Sequence, residues 1–138
     1  MQVGINSYSL QLIATFKDSA ARSFYYRVDY QEQPFSWKFD ADTFPGSAEE
    51  ASIDYLLHTY SLMEQLIREK VILPRDIKVL GFEAIRVMEN PEVIRYLEWL
   101  DKDYDEILGS NVQSYSDARA LCKRFRALKD EEGRSIVG

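Results

Sequence analysis

The spacing of apolar residues changes period at Pro45-Gly46, and that switch constrains the fold more than any other feature of the chain. Before it, apolar and polar residues alternate in three runs. Tyr8, Leu10, Leu12, Ala14 and Phe16 share one parity, against Ser9, Gln11, Thr15 and Lys17. Phe24, Tyr26, Val28 and Tyr30 follow, against Tyr25, Arg27 and Asp29; beyond Gln31-Glu32-Gln33-Pro34, Phe35, Trp37 and Phe39 alternate with Ser36, Lys38 and Asp40. A period of two in aromatic and β-branched residues predicts a three-stranded antiparallel sheet over about residues 8–40, with one apolar face. The alternative is one helix over Ser7–Tyr30, with Leu12, Ile13, Phe16, Ala20, Phe24 and Val28 on a stripe, which makes the fold an all-α bundle. Asp18-Ser19 in mid-helix and the β-favouring Phe24–Val28 run favour the sheet.

After the switch the pattern is helical. Ser47-Ala48-Glu49-Glu50 fits a capping box, opening a helix to about Lys70 with Ile53, Leu56, Leu57, Tyr60, Met63 and Ile67 inward. Tyr55, Leu62 and Leu66 form a second arc, which predicts that this helix touches both the sheet and another helix. Pro74 opens a second helix carrying Ile77, Leu80, Ala84, Ile85 and Met88, with Gly81 tolerated inside it. Asn90-Pro91-Glu92 starts a third, lined by Val93, Leu97, Leu100, Tyr104, Ile107 and Leu108 and ended by Gly109. Ser116 caps a fourth, with Ala118, Leu121, Cys122, Phe125 and Leu128 inward and a frayed tail after Asp130. The expected class is therefore α+β, a sheet followed by four helices in one domain over residues 1–138.

Chemistry-bearing constellations are sparse. Asp101, Asp103 and Asp105 resemble the start of a calcium loop, but its glycine and terminal glutamate positions hold Glu106 and Val112. Asp54, His58 and Ser61 share a helix face without the pocket and oxyanion donors of a hydrolytic triad. One Cys and one His exclude a structural zinc site, and the six glycines form no phosphate loop. Lys123 and Arg124 flank Cys122 and could depress its thiol pKa, but the residue lies on the inward stripe. No catalytic, metal or cofactor site is predicted, and the reading leans away from an enzyme. The absence of a basic-then-apolar start and of any membrane-length apolar run suggests a cytoplasmic protein with no membrane partner.

Two surface features remain. Residues 118–129 hold five basic side chains and no acid in a chain of net charge -6, so the remainder carries -11. With Leu121, Cys122, Phe125 and Leu128 inward, Arg119, Lys123 and Arg126 share the outer face. Trp99 and Tyr25 fall off the apolar stripes of their elements, and both types are common at interfaces. Arg119, Lys123, Arg126, Trp99 and Tyr25 are thus the candidate interface residues. The expected function is a small acidic, non-enzymatic interaction or regulatory module, acting through a protein partner or by self-association. The alternatives are a small-ligand binder or enzyme with a cleft between sheet and helices, and a nucleic-acid-directed regulator using helix 118–129, which the net acidity disfavours.

Overall fold

The computed structural model describes residues 38–108 and 113–137, with side chains over 38–103 and 113–133. Four α-helices make up this region: α1 (Ala48–Arg68), α2 (Lys78–Met88), α3 (Pro91–Leu108) and α4 (Ser116–Val137), with a 3₁₀ turn at Pro74–Ile77 leading into α2.

The expectation of an α+β fold is corrected here. The region 38–133 is 77% helical, with no strand among its described residues. Two of the three alternating runs, and most of the third, lie outside the described residues. The end of the third, Lys38-Phe39-Asp40, is irregular and passes into turns. The Phe39 amide finds its partner without a sheet, donating to the Glu92 carboxylate at 3.0 Å. The Phe39 ring inserts among Phe44, Tyr96 and Trp99, with centroids 5.2–5.8 Å away. Here an aromatic at alternating spacing is a plug against helices, a role that parity cannot distinguish from a strand position.

The helix starts follow local chemistry. Ser47 Oγ accepts from the Glu50 amide at 3.1 Å, and Glu50 reaches back to the Gly46 amide at 2.8 Å, one residue earlier than a regular capping box. Gly46 permits this with φ +81°. Asn90 Oδ1 accepts from the Glu92 and Val93 amides at 2.8 and 3.3 Å, with Pro91 in the first helical position. α1 ends in a Schellman motif: Lys70 donates to the Ile67 carbonyl and Val71 to that of Leu66, while Lys70 takes a left-handed φ of 62°. At the other end of the chain, α4 continues to Val137 instead of fraying after Asp130. Lys78 of α2 pairs with Glu132 across this extension.

α4 lies along both α1 and α2 and is the element around which the described residues pack. Ile53, Leu56, Leu57, Tyr60 and Met63 of α1, Val87 of α2, Val93 of α3, and Ala118, Leu121 and Phe125 of α4 are fully buried. The expected inward residues of α1 and of the Ile77–Met88 stretch are buried, as are Val93 and Leu97 of α3 and Ala118, Leu121 and Phe125 of α4, while Leu100, Cys122 and Leu128 pack only partly against them. In the second arc of α1, Tyr55 and Leu62 are 40% and 45% exposed, while Leu66 packs partly against the core; the sheet expected to meet this arc falls almost wholly outside the described residues. No helix among the described residues is long and apolar enough to cross a membrane.

Candidate functional site

α1 presents two outward faces of opposite character. The polar one carries Asp54, His58, Ser61, Gln65 and Arg68, spaced to lie in one row. The start of α4 docks on it. Tyr96 and Tyr115 both donate their hydroxyls to Asp54 Oδ1, at 2.7 and 2.8 Å, and the Tyr115 hydroxyl lies 3.4 Å from His58 Nε2. Two turns beyond His58, Asp117 accepts from Gln65 at 2.9 Å and from Arg68 at 3.0 Å. These two bonds hold the Asp117 carboxyl below the usual range. Burial, and then the bond to Asp54, pushes the Tyr96 phenol well above its ordinary value, so it remains a hydrogen-bond donor. Tyr115 has φ 51°, a costly conformation for an aromatic residue, held by its contacts to Asp54 and His58.

This geometry disposes of the Asp54–His58–Ser61 grouping. Asp54 Oδ1 is taken by two tyrosines, and the Ser61 hydroxyl donates to the Leu57 carbonyl of its own helix at 2.9 Å. The row is a docking strip for residues 115–117. Asp101 is similarly engaged. Its Oδ1 accepts from the Ser114 amide and hydroxyl at 2.6 and 2.7 Å, and its Oδ2 from Arg119 at 2.8 Å. Burial alone would raise this carboxyl, but the Ser114 bonds and Arg119 outweigh it and hold the pKa below the ordinary value.

The basic residues of α4 are distributed among intramolecular partners. Arg119 also donates to the Ser114 carbonyl at 2.7 Å. Arg126 chelates Glu89 at the end of α2. Arg124 makes two bonds, at 2.9 and 3.0 Å, to Glu64, which is 3% exposed and also receives Arg68 at 3.2 Å. Lys129 stands 5.9 Å from the Phe82 ring centroid. Lys123 is exposed and has no ion pair among the described residues. Trp99 is half-buried against Phe39 and stacks on Tyr96 at 6.2 Å. Tyr25 lies outside the described residues. Of the four described candidates, Arg119 and Arg126 are thus paired within the chain, Trp99 is half-buried, and Lys123 is exposed.

Between α2, α3 and α4 a cavity of about 200 Å³ is lined by Met88, Ile94, Leu97 and Cys122, with Glu98 and Arg119 completing it. Burial, and then Glu89, raises the Cys122 thiol pKa, the reverse of what flanking Lys123 and Arg124 suggest in sequence.

The other outward face of α1 is apolar and carries no charge. Ala48, Ala51, Ser52, Tyr55, Thr59, Leu62 and Leu66 succeed one another along it, in a chain in which 29% of residues are charged. The Thr59 hydroxyl is turned onto the Tyr55 carbonyl at 2.8 Å and so is satisfied within the helix. Sequence periodicity finds Tyr55, Leu62 and Leu66 but not the exposure of Tyr55 and Leu62. Tyr96, Tyr115 and Glu64 escape it altogether, since nothing local marks a tyrosine or an acid for a partner 42 to 61 residues away. No family model, curated protein or solved structure matches this chain.

Proposed function

We propose that the chain is a non-enzymatic protein-interaction module that uses the outer face of α1. The supporting observation is the uncharged row from Ala48 to Leu66, with Tyr55 and Leu62 exposed at its centre. A helix that faces only water normally carries charged and polar residues on that side. Exposed aromatic and aliphatic side chains in one row are the signature of a surface that a protein covers. The polar cluster at Asp54 supports no competing catalytic reading, because its hydrogen bonds hold α4 in place.

The cavity beside Cys122 favours a second reading, a small-ligand binder. At about 200 Å³ it falls below the roughly 300–1,000 Å³ of ordinary ligand pockets, which ranks that reading second. The nucleic-acid reading is weakened by the pairing of Arg119, Arg124 and Arg126 with carboxylates of the same chain.

A photo-crosslinking side chain placed at Leu62 in expressing cells tests the proposal, with the same group at Lys123 as comparison. Covalent adducts to protein are expected at Leu62. Adducts only at Lys123, or none at either position, would overturn it.

A further inference from the structure

We infer that the occupant of the α1 outer face is a second copy of this chain, with the two α1 helices packed antiparallel about a two-fold axis near Thr59. This rests on the reading of that face as an interface. Its residues fall at alternating steps of four and three: Ala48, Ser52, Tyr55, Thr59, Leu62, Leu66 and Glu69. That spacing is the seam of a two-helix packing, sustained over about 30 Å of helix.

The row is also self-complementary when reversed. An antiparallel two-fold pairing sets Tyr55 of one copy against Leu62 of the other, Ser52 against Leu66, and Thr59 against itself. Large side chains thus meet each other at the middle, and the bulk of Leu66 meets a small residue. Such matching of a surface to itself is what an isologous interface requires. At the ends, Glu69 of one copy comes beside Ala48 of the other, where Glu49 and Glu50 already offset the positive half-charge of the helix start. Between its ends the row carries no charge, so like charges meet only there.

Magnitudes set the expected strength. A single pair of helices this long buries less than the roughly 1,200 Å² of standard interfaces, so the dimer is weak and concentration-dependent. The net charge of -6 on each copy opposes association, while the seam is uncharged from Ala48 to Leu66. Raising salt shortens the Debye length to about 3 Å at 1 M and screens that repulsion. Dimerisation should therefore strengthen with salt. A contact made through the basic face of α4 and an acidic surface would weaken.

The experiment is sedimentation equilibrium of the purified full chain, from about 10 to 500 µM at low and high salt, a span suited to a weak complex. A crosslinker at Leu62 is then photolysed in an equal mixture of ¹⁴N- and ¹⁵N-labelled chains. The expected result is a mass rising from 16.1 kDa towards twice that value, more steeply at high salt, with mixed-isotope adducts joining α1 to α1. Leu62→Glu should shift the dissociation constant at least tenfold while the melting temperature stays within a few degrees, because Leu62 is 45% exposed. Unmixed adducts joining Leu62 to residues 1–37 of its own chain would overturn the inference, as would a dimer weakened by salt. A monomer throughout, with adducts to a foreign protein in cells, overturns the second copy as occupant but leaves the interaction module standing. No intermolecular adduct in either setting overturns both.

Discussion

A methyl group added to Gly81 would lie 2.4 Å from the ring of Phe125, so α2 and α4 approach where only hydrogen fits. Helix propensity by itself favours alanine over glycine by about 1 kcal/mol in a helix interior. Packing reverses the sign here. Phe125 is fully buried and also meets the ring of Phe82 in an edge-to-face contact, leaving it little freedom to retreat. Gly81→Ala should destabilise by about 1–3 kcal/mol in urea unfolding. A gain in stability would mean that the two helices separate at no cost.

The left-handed turn at Lys70 offers the opposite test. Both Schellman hydrogen bonds are in place, but the residue at the turn carries a β-carbon at φ 62°. Lys70→Gly removes that strain without touching the core, since Lys70 is exposed. A stabilisation of about 0.5–1 kcal/mol is expected, the relief offsetting the greater backbone entropy of glycine. An unchanged or lower urea midpoint would contradict this account of the turn.

Glu64 is the buried acid of the α1–α4 contact. Replacing Arg124 with Met leaves the carboxylate with Arg68 alone, which is largely exposed. The single change should cost about 2–3 kcal/mol, towards the low end for a broken buried pair because Arg68 remains. Glu64→Met combined with Arg124→Met should cost less than the sum of the two single changes, as no unpaired charge is left. An additive double-mutant cycle would show that the two side chains are not coupled.

Acid should loosen the segment before α4. The Asp101 and Asp117 carboxyls are held below their ordinary values, so their contribution to stability is complete above the unfolded-state value of about 3.9. It is lost as pH falls through the depressed folded values. Asp101→Asn should lower stability by about 1–2 kcal/mol at pH 7, and the gap from the parent chain should narrow below about pH 4. The check is a pair of urea unfolding curves at pH 7 and pH 3; an equal gap at both would mean that the Asp101 charge does not matter.

The limits of what the sequence revealed follow from the range of each interaction. Asn90 caps α3 through amides two and three residues away, so its role is legible in Asn90-Pro91-Glu92. The inward stripe of α1 is legible for the same reason, since 3.6 residues per turn determines which side chains share a face. Phe39 shows where this reasoning stops. Its alternation with Lys38 and Asp40 suits a strand, yet its amide partner is Glu92, 53 residues on.

Local spacing thus determined the four helices from Ser47 onward and most of the faces that make their core, with side-chain caps at Ser47 and Asn90. Only the tertiary structure decided which charges are spent within the chain. The pairs Asp54–Tyr115, Glu64–Arg124 and Asp101–Arg119 span 61, 60 and 18 residues. Such pairs form because helix packing brings their side chains within hydrogen-bond reach, and no periodicity within one helix encodes a distance to another. The same packing turned Tyr55 and Leu62 outward, because α1 had already used its opposite side on α4 and the core.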